Sequence, residues 1–268
     1  KRGERILQHL MDAGADVNAP NDDGQTPLMA AATRGDIALV NQLLEGGANP
    51  ALTDKHGQNV LHYCTAATPV KIIEAMIDGG ADVNAKSAWG RSALMAALQE
   101  RNVPLAETLL KRGADPKVHD NQGMTPLHAA LQMRQMSLVN TLLEKGADVN
   151  AAGSYSKVTP LHLACSMGLE REAQKLLEKG ANPNAQDNMG RTPLWHLLQS
   201  HYVSADLVRK MLEKGADPLA EDHYGTNAYD MAHNQRKTAV VELFRQHQLK
   251  KSPKPYSPKP PRPPWGFY

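Results

Sequence analysis

Three histidines and two cysteines offer the first chemistry in this chain. His62, His128 and His162 each follow a leucine, and imidazoles in matched surroundings suggest a metal array, because zinc draws its nitrogen ligands to about 2 Å. His62 also lies two residues before Cys64, the residue types of a base and a nucleophile. Glu170 and Glu172 add two carboxylates within one short stretch. No GxxxxGK[ST], GxSxG, HExxH or CxxC occurs, so the common phosphate, nucleophile-elbow and zinc signatures are missing. Whether the remaining groups can meet depends on the elements that hold them.

Those elements repeat. Gly-Ala-Asp/Asn recurs at Gly14, Gly47, Gly80, Gly113, Gly146, Gly180 and Gly215, with spacings of 33, 33, 33, 33, 34 and 35 residues. A second ladder runs in phase, through Thr26-Pro27-Leu28, Asn59-Val60-Leu61, Ser92-Ala93-Leu94, Thr125-Pro126-Leu127, Thr159-Pro160-Leu161, Thr192-Pro193-Leu194 and Asn227-Ala228-Tyr229. A unit of 33 residues carrying T-P-L-H-x-A, as at Thr125 to Ala130 and Thr159 to Ala164, is the signature of ankyrin repeats. The chain resembles that family from its first residues to about Leu249. The resemblance implies an all-α ankyrin-repeat solenoid, stacked helix pairs joined by β-turn fingers, that binds proteins and is not an enzyme.

In the unit from Asn21 to Thr53, Asp22-Asp23-Gly24 reads as a turn. Thr26 can cap a helix that Pro27 opens, and that helix runs to about Arg34. Gly35 breaks it, Asp36 caps the second helix, and Gly46-Gly47 stops that one, the glycine suiting a left-handed helix end. Neither helix buries its apolar face within one unit, so stability must come from stacking, with polar caps at the ends. Residues 1–20 read as a partial repeat holding a second helix only, so a first helix or other cover is expected before Lys1. Residues 21–221 read as six repeats, 222–249 as a C-terminal capping repeat, and 250–268 as a proline-rich basic tail.

Stacking at roughly 10 Å per unit separates matched histidines too far to share an ion, so each imidazole is expected to bond backbone near the turns. No metal and no cofactor are expected. His62 and Cys64 do not face each other on a helix, and Cys64 and Cys165, placed in first helices three units apart, sit on the order of 30 Å from one another, against the limit of about 7 Å for a disulfide. Both thiols fill slots that hold alanine elsewhere. Unpaired thiols lean towards a reducing compartment, the cytoplasm; removal of an upstream signal would instead fit the periplasm or the outside of the cell. Glu170 and Glu172 stand where sister units have Ile37 and Leu39 or Met136 and Leu138. They must reach solvent from a frayed, exposed helix or pair with Lys175, Arg171 or Arg209, and a contact for a partner is the functional alternative.

Family members differ at the turn tips and on the exposed side of the first helix, which the resemblance makes a concave groove. The corresponding residues here are His56, Trp89, Arg91, Met124, Met133, Tyr155, Met167, Met189, Arg191 and Tyr224, types that supply contact area at interfaces. Insertions at 153–158, where Lys157 replaces the turn glycine, and at 199–205 add Tyr155 and His201-Tyr202. The tail holds five cations and no acids, so the net charge of +2 becomes −3 without it, which gives nucleic acid no general footing. Its prolines favour an extended conformation. Its last aromatics, Trp265, Phe267 and Tyr268, are expected to dock on the repeats or on a partner. No segment is apolar enough to insert in a membrane. The expected function is a module, monomeric when free, that binds one folded protein and inhibits or regulates it, for example by occluding an enzyme's active site. The alternative is a targeting or scaffold domain of a larger enzyme, channel or secreted effector.

Overall fold

The computed structural model describes residues 9, 12–200, 203–251 and 256–259, and among these every regular element is a helix. The only pairings of strand type among the described residues are the isolated bridges Thr53–Asn59 and Lys86–Ser92. The chain divides into two compact units, Lys1–Ala147 and Asp148–Tyr268.

The first unit holds α1 (Pro27–Arg34), α2 (Ile37–Glu45), a 3-10 helix (Val60–Tyr63), α3 (Val70–Asp78), α4 (Ala93–Gln99), α5 (Val103–Lys111), α6 (Pro126–Gln132) and α7 (Met136–Glu144). The local chemistry expected from sequence starts and stops them. The Thr26 hydroxyl accepts from the Met29 amide, Pro27 opens α1, and the chain turns left-handed at Gly35 with φ 64°. The Asp36 carboxylate then accepts from the Leu39 amide. Leu28, Leu61, Leu94 and Leu127, the leucines of the second ladder, are all fully buried and form the spine of this unit's core.

The second unit holds α8 (Pro160–Ser166), α9 (Glu170–Glu178), α10 (Pro193–Gln199), α11 (Ala205–Glu213), α12 (Ala228–Asn234) and α13 (Thr238–Lys251). Leu161, Leu194, Met211 and Phe244 are fully buried within it. Phe244 on α13 packs against Tyr229 on α12, ring centroids 5.7 Å apart.

The Gly-Ala-Asp/Asn triplet has two causes. Its glycine takes φ between 81° and 104° in all seven copies, a conformation that L side chains rarely adopt. Its Asp or Asn side chain accepts the amide two residues on, an Asx turn present in every copy from Asp16 to Asp217. Four copies continue to an asparagine, Asn18, Asn84, Asn150 and Asn184, which clips one repeat to the next. Asn184 donates to the Gly215 carbonyl at 2.8 Å and accepts from the Asp217 amide at 2.8 Å; the other three repeat the pattern.

Two sequence expectations are corrected. The first helix of the repeat after Asn59 is only the four-residue 3-10 helix, so Cys64 is not helical but extended at its end. Val60 stands there in place of the helix-opening proline, the Thr68 hydroxyl captures the Thr65 amide, and Pro69 biases the residue before it away from helix. The second correction concerns α9, which is a regular helix rather than a frayed one. Glu172 is buried at 8 % exposure, and Glu170 accepts from Ser204 at 2.8 Å and Gln174 at 3.2 Å. Arg209 pairs with Asp206 on its own helix instead.

Candidate protein-interaction surface

Four of the fingers are built around a buried acid, while Asn21 and Ser87 take its place in two others. The Asp54, Asp120, Asp187 and Asp222 carboxylates are 5–7 % exposed, and each Oδ1 accepts the amides two and four residues on, those of His56 and Gln58, Gln122 and Met124, Met189 and Arg191, Tyr224 and Thr226. Two charge-assisted bonds per carboxylate fix the turn and set its tip residue outward. Within the first unit the tips are tied to one another by backbone bonds, Lys55 to Asp23, Ala88 to His56 and Asn121 to Trp89. In the second unit Asn188 bonds Ser156 and His223 bonds Met189 in the same way. Lys157 takes φ 52° in the glycine position, as expected from its place in the sequence.

In the first unit this scaffold stacks His56 on Trp89, ring centroids 5.4 Å apart, and leaves Trp89 53 % exposed beside the exposed Arg91. Met124 and Met133 are half-buried, Met133 at the end of α6. In the second unit Tyr155 and Tyr224 are exposed, while Met167 and Met189 are half-buried. Arg191 is half-buried too, its guanidinium 4.3 Å above the Trp195 ring, a cation–π contact within the protein. Trp265, Phe267 and Tyr268, together with His201-Tyr202, lie outside the described residues.

Sequence reading missed two residues on the exposed side of the first helices. Tyr63 donates to Asp54 Oδ2 and accepts from Gln25 at 3.0 Å, and burial, followed by the carboxylate, pushes its phenol up to about 12. His196 occupies the equivalent place and bonds Asp187 Oδ2 at 2.9 Å. Burial pushes the Asp187 carboxyl up, but the bonds from His196 and the Arg191 and Met189 amides outweigh it and hold it below its ordinary value. A spacing of nine residues between finger acid and helix residue was the only signal available for either pair.

The histidines behave as repeat ties. His62 Nε2 faces the Arg91 carbonyl at 3.2 Å and His162 Nε2 the Arg191 carbonyl at 3.0 Å, each reaching the next finger. His162 Nδ1 receives the Thr159 hydroxyl at 2.8 Å and amide at 3.2 Å, which assigns the proton to Nε2. Burial lowers both imidazoles, that of His162 to about 4. Burial also pushes the Cys64 thiol up to about 12 and the Cys165 thiol higher still, so neither is a thiolate nucleophile at neutral pH. Among the described residues no group of three His, Cys, Asp or Glu side chains is placed to hold a metal ion, and no helix is long and apolar enough to cross a membrane. What this surface offers is shape, aromatic area and fixed hydrogen-bonding groups.

The family model for ankyrin repeats (3 copies) matches residues 1–87, 67–153 and 152–222. The structure is similar to the ankyrin repeat domain of Bcl-3, described as a unique member of the IkappaB protein family, with a TM-score of 0.66 and 28 % identity over 84 % of this chain and 100 % of that one. It is similar in fold to the human ASB11 ankyrin repeat domain, with a TM-score of 0.66 and 23 % identity over 82 % of this chain and 98 % of that one. A search of curated proteins returns no match.

Proposed function

The chain belongs to the ankyrin-repeat family, a protein-binding scaffold, and we propose that it acts without catalysis by seating one folded partner on its finger tips and inhibiting or regulating it. The carrying observation is the His56–Trp89 stack: a tryptophan half in solvent, held by a neighbouring ring and by a backbone-bonded tip, is a rigid anchor whose ordering cost is met before binding. Tyr224, exposed on a turn whose amide the Asp222 carboxylate holds, adds aromatic area in the second unit. Tips that project on fixed turns fit a recess in a partner better than a flat face, which supports occlusion as the mode of action.

A pull-down from native lysate with the whole chain, beside the triple variant Trp89→Ala, Met124→Ala and Tyr224→Ala, tests the reading. One stoichiometric protein retained by the native chain and lost from the variant supports it. Equal retention by both would remove the finger tips from the interface.

A further inference from the structure

The tail comes back to the array. Residues 256–259 lie against the last repeat, where the Tyr256 ring packs 5.2 Å from that of Tyr229. The Tyr256 hydroxyl donates to Asp230 Oδ2 at 3.0 Å and accepts from Asn227 Nδ2 at 3.0 Å. The Lys259 amide donates to Asp230 Oδ1 at 2.8 Å, and its ammonium reaches Glu221. Asp230 is 4 % exposed, and Asn227 Nδ2 also donates to its carboxylate at 2.9 Å.

Asp230 occupies the place that His62, His128 and His162 hold in their repeats, the third residue of the first helix after Asn59, Thr125, Thr159 or Asn227. At His62 and His162 that residue faces a carbonyl of the following finger, and the His162 imidazole donates to it. In the last repeat the polarity is reversed: the acid accepts from a backbone amide. A following finger presenting a carbonyl would meet a carboxylate there, so the position is chemically wrong for another repeat and right for a strand presenting N–H and O–H. We propose that the Asn227–Asp230 end of the last repeat is a recognition site for a short extended Tyr-Ser-Pro-Lys segment, filled by the chain's own residues 256–259 in place of a further finger. Tyr229 gives the phenol a tilted ring to pack against, Asn227 and Asp230 read its hydroxyl from both sides, and Glu221 selects a cation three residues later. Pro258 keeps the segment extended and helps point the Lys259 amide at the acid.

The test uses the whole 268-residue chain with Tyr256→Ala and Lys259→Pro, which remove the phenol, the amide and the ammonium without touching the repeats, and a labelled peptide Lys-Pro-Tyr-Ser-Pro-Lys-Pro. A short tether gives the native strap an effective concentration on the order of mM, so a strap docked about nine-tenths of the time requires a peptide Kd of about 0.1 mM or tighter. Polarisation of the label is expected to show saturable binding to the opened chain, at least about tenfold weaker binding to the native chain, where the strap competes, and loss of binding when Asp230→Asn is added to the opened chain. Equal binding to native and opened chains, or none to an opened chain whose circular dichroism matches the native one, overturns the proposal. In the native chain the Lys259 amide should exchange with solvent far more slowly than an unstructured amide; exchange at the unstructured rate overturns it independently of any variant.

Discussion

Acidification should loosen the repeat that His162 ties, by an amount the hydrogen bonds set. His162 Nδ1 is an acceptor for two groups of Thr159, and a second proton on the ring would point at the Thr159 amide. The folded imidazole therefore resists protonation, with its value lowered from 6.5 to about 4, burial being the largest cause and the nearby His196 ring, 5.3 Å away, adding to it. Because the folded value lies below the unfolded one, the unfolded chain takes up the proton first as pH falls. The stabilisation is whole above pH 6.5, is lost between 6.5 and about 4, and is flat below. At 1.36 kcal/mol per pH unit the loss from this group between pH 7.5 and 5.0 comes to about 2 kcal/mol. Urea unfolding at 25 °C of the native chain and of His162→Gln, at both pH values, isolates it: the stability difference between the two proteins should shrink by about that amount at pH 5.0. A difference independent of pH, or an imidazole C–H resonance of His162 that titrates near 6.5, would refute the reasoning.

Removing one asparagine clip, Asn184→Ala, should cost about 1–2 kcal/mol in urea melts, since it loses two bonds at 2.8 Å to the next repeat. Lys157→Gly should raise stability by up to about 1 kcal/mol by relieving a side chain held at φ 52°; a lower melting temperature would mean that Lys157 makes compensating contacts. Trp195→Phe should be neutral within about 0.5 kcal/mol, because the buried indole N–H has no hydrogen-bond partner to lose while the ring is kept under Arg191. A destabilisation of about 2 kcal/mol or more would contradict that.

Much of the architecture is local chemistry and could be read directly. The bounds of α1, the left-handed Gly35, the Asp36 cap and the triplet glycines need only residues within a few positions of one another, so period and capping pattern place them. The exposed Trp89 and Tyr224 followed from the same repeat alignment. Other features depend on partners that sequence proximity does not reveal. Three other left-handed positions are arginines, Arg101, Arg134 and Arg236, held there by the flanking helices rather than by any glycine. Glu172 is buried in the slot that leucine fills in sister repeats, although its carboxylate was expected to reach solvent or pair, and Arg191, read as a partner-contact residue, lies over Trp195. The asparagine clips join residues 29 to 33 positions apart, and the Asp230 latch joins residues 26 and 29 apart. The sequence by itself determined the repeat, its helices and its turns, because backbone capping acts over three or four residues. Only the tertiary structure decided which acids, rings and amides meet, because those contacts exist once stacked repeats bring distant positions within hydrogen-bond reach.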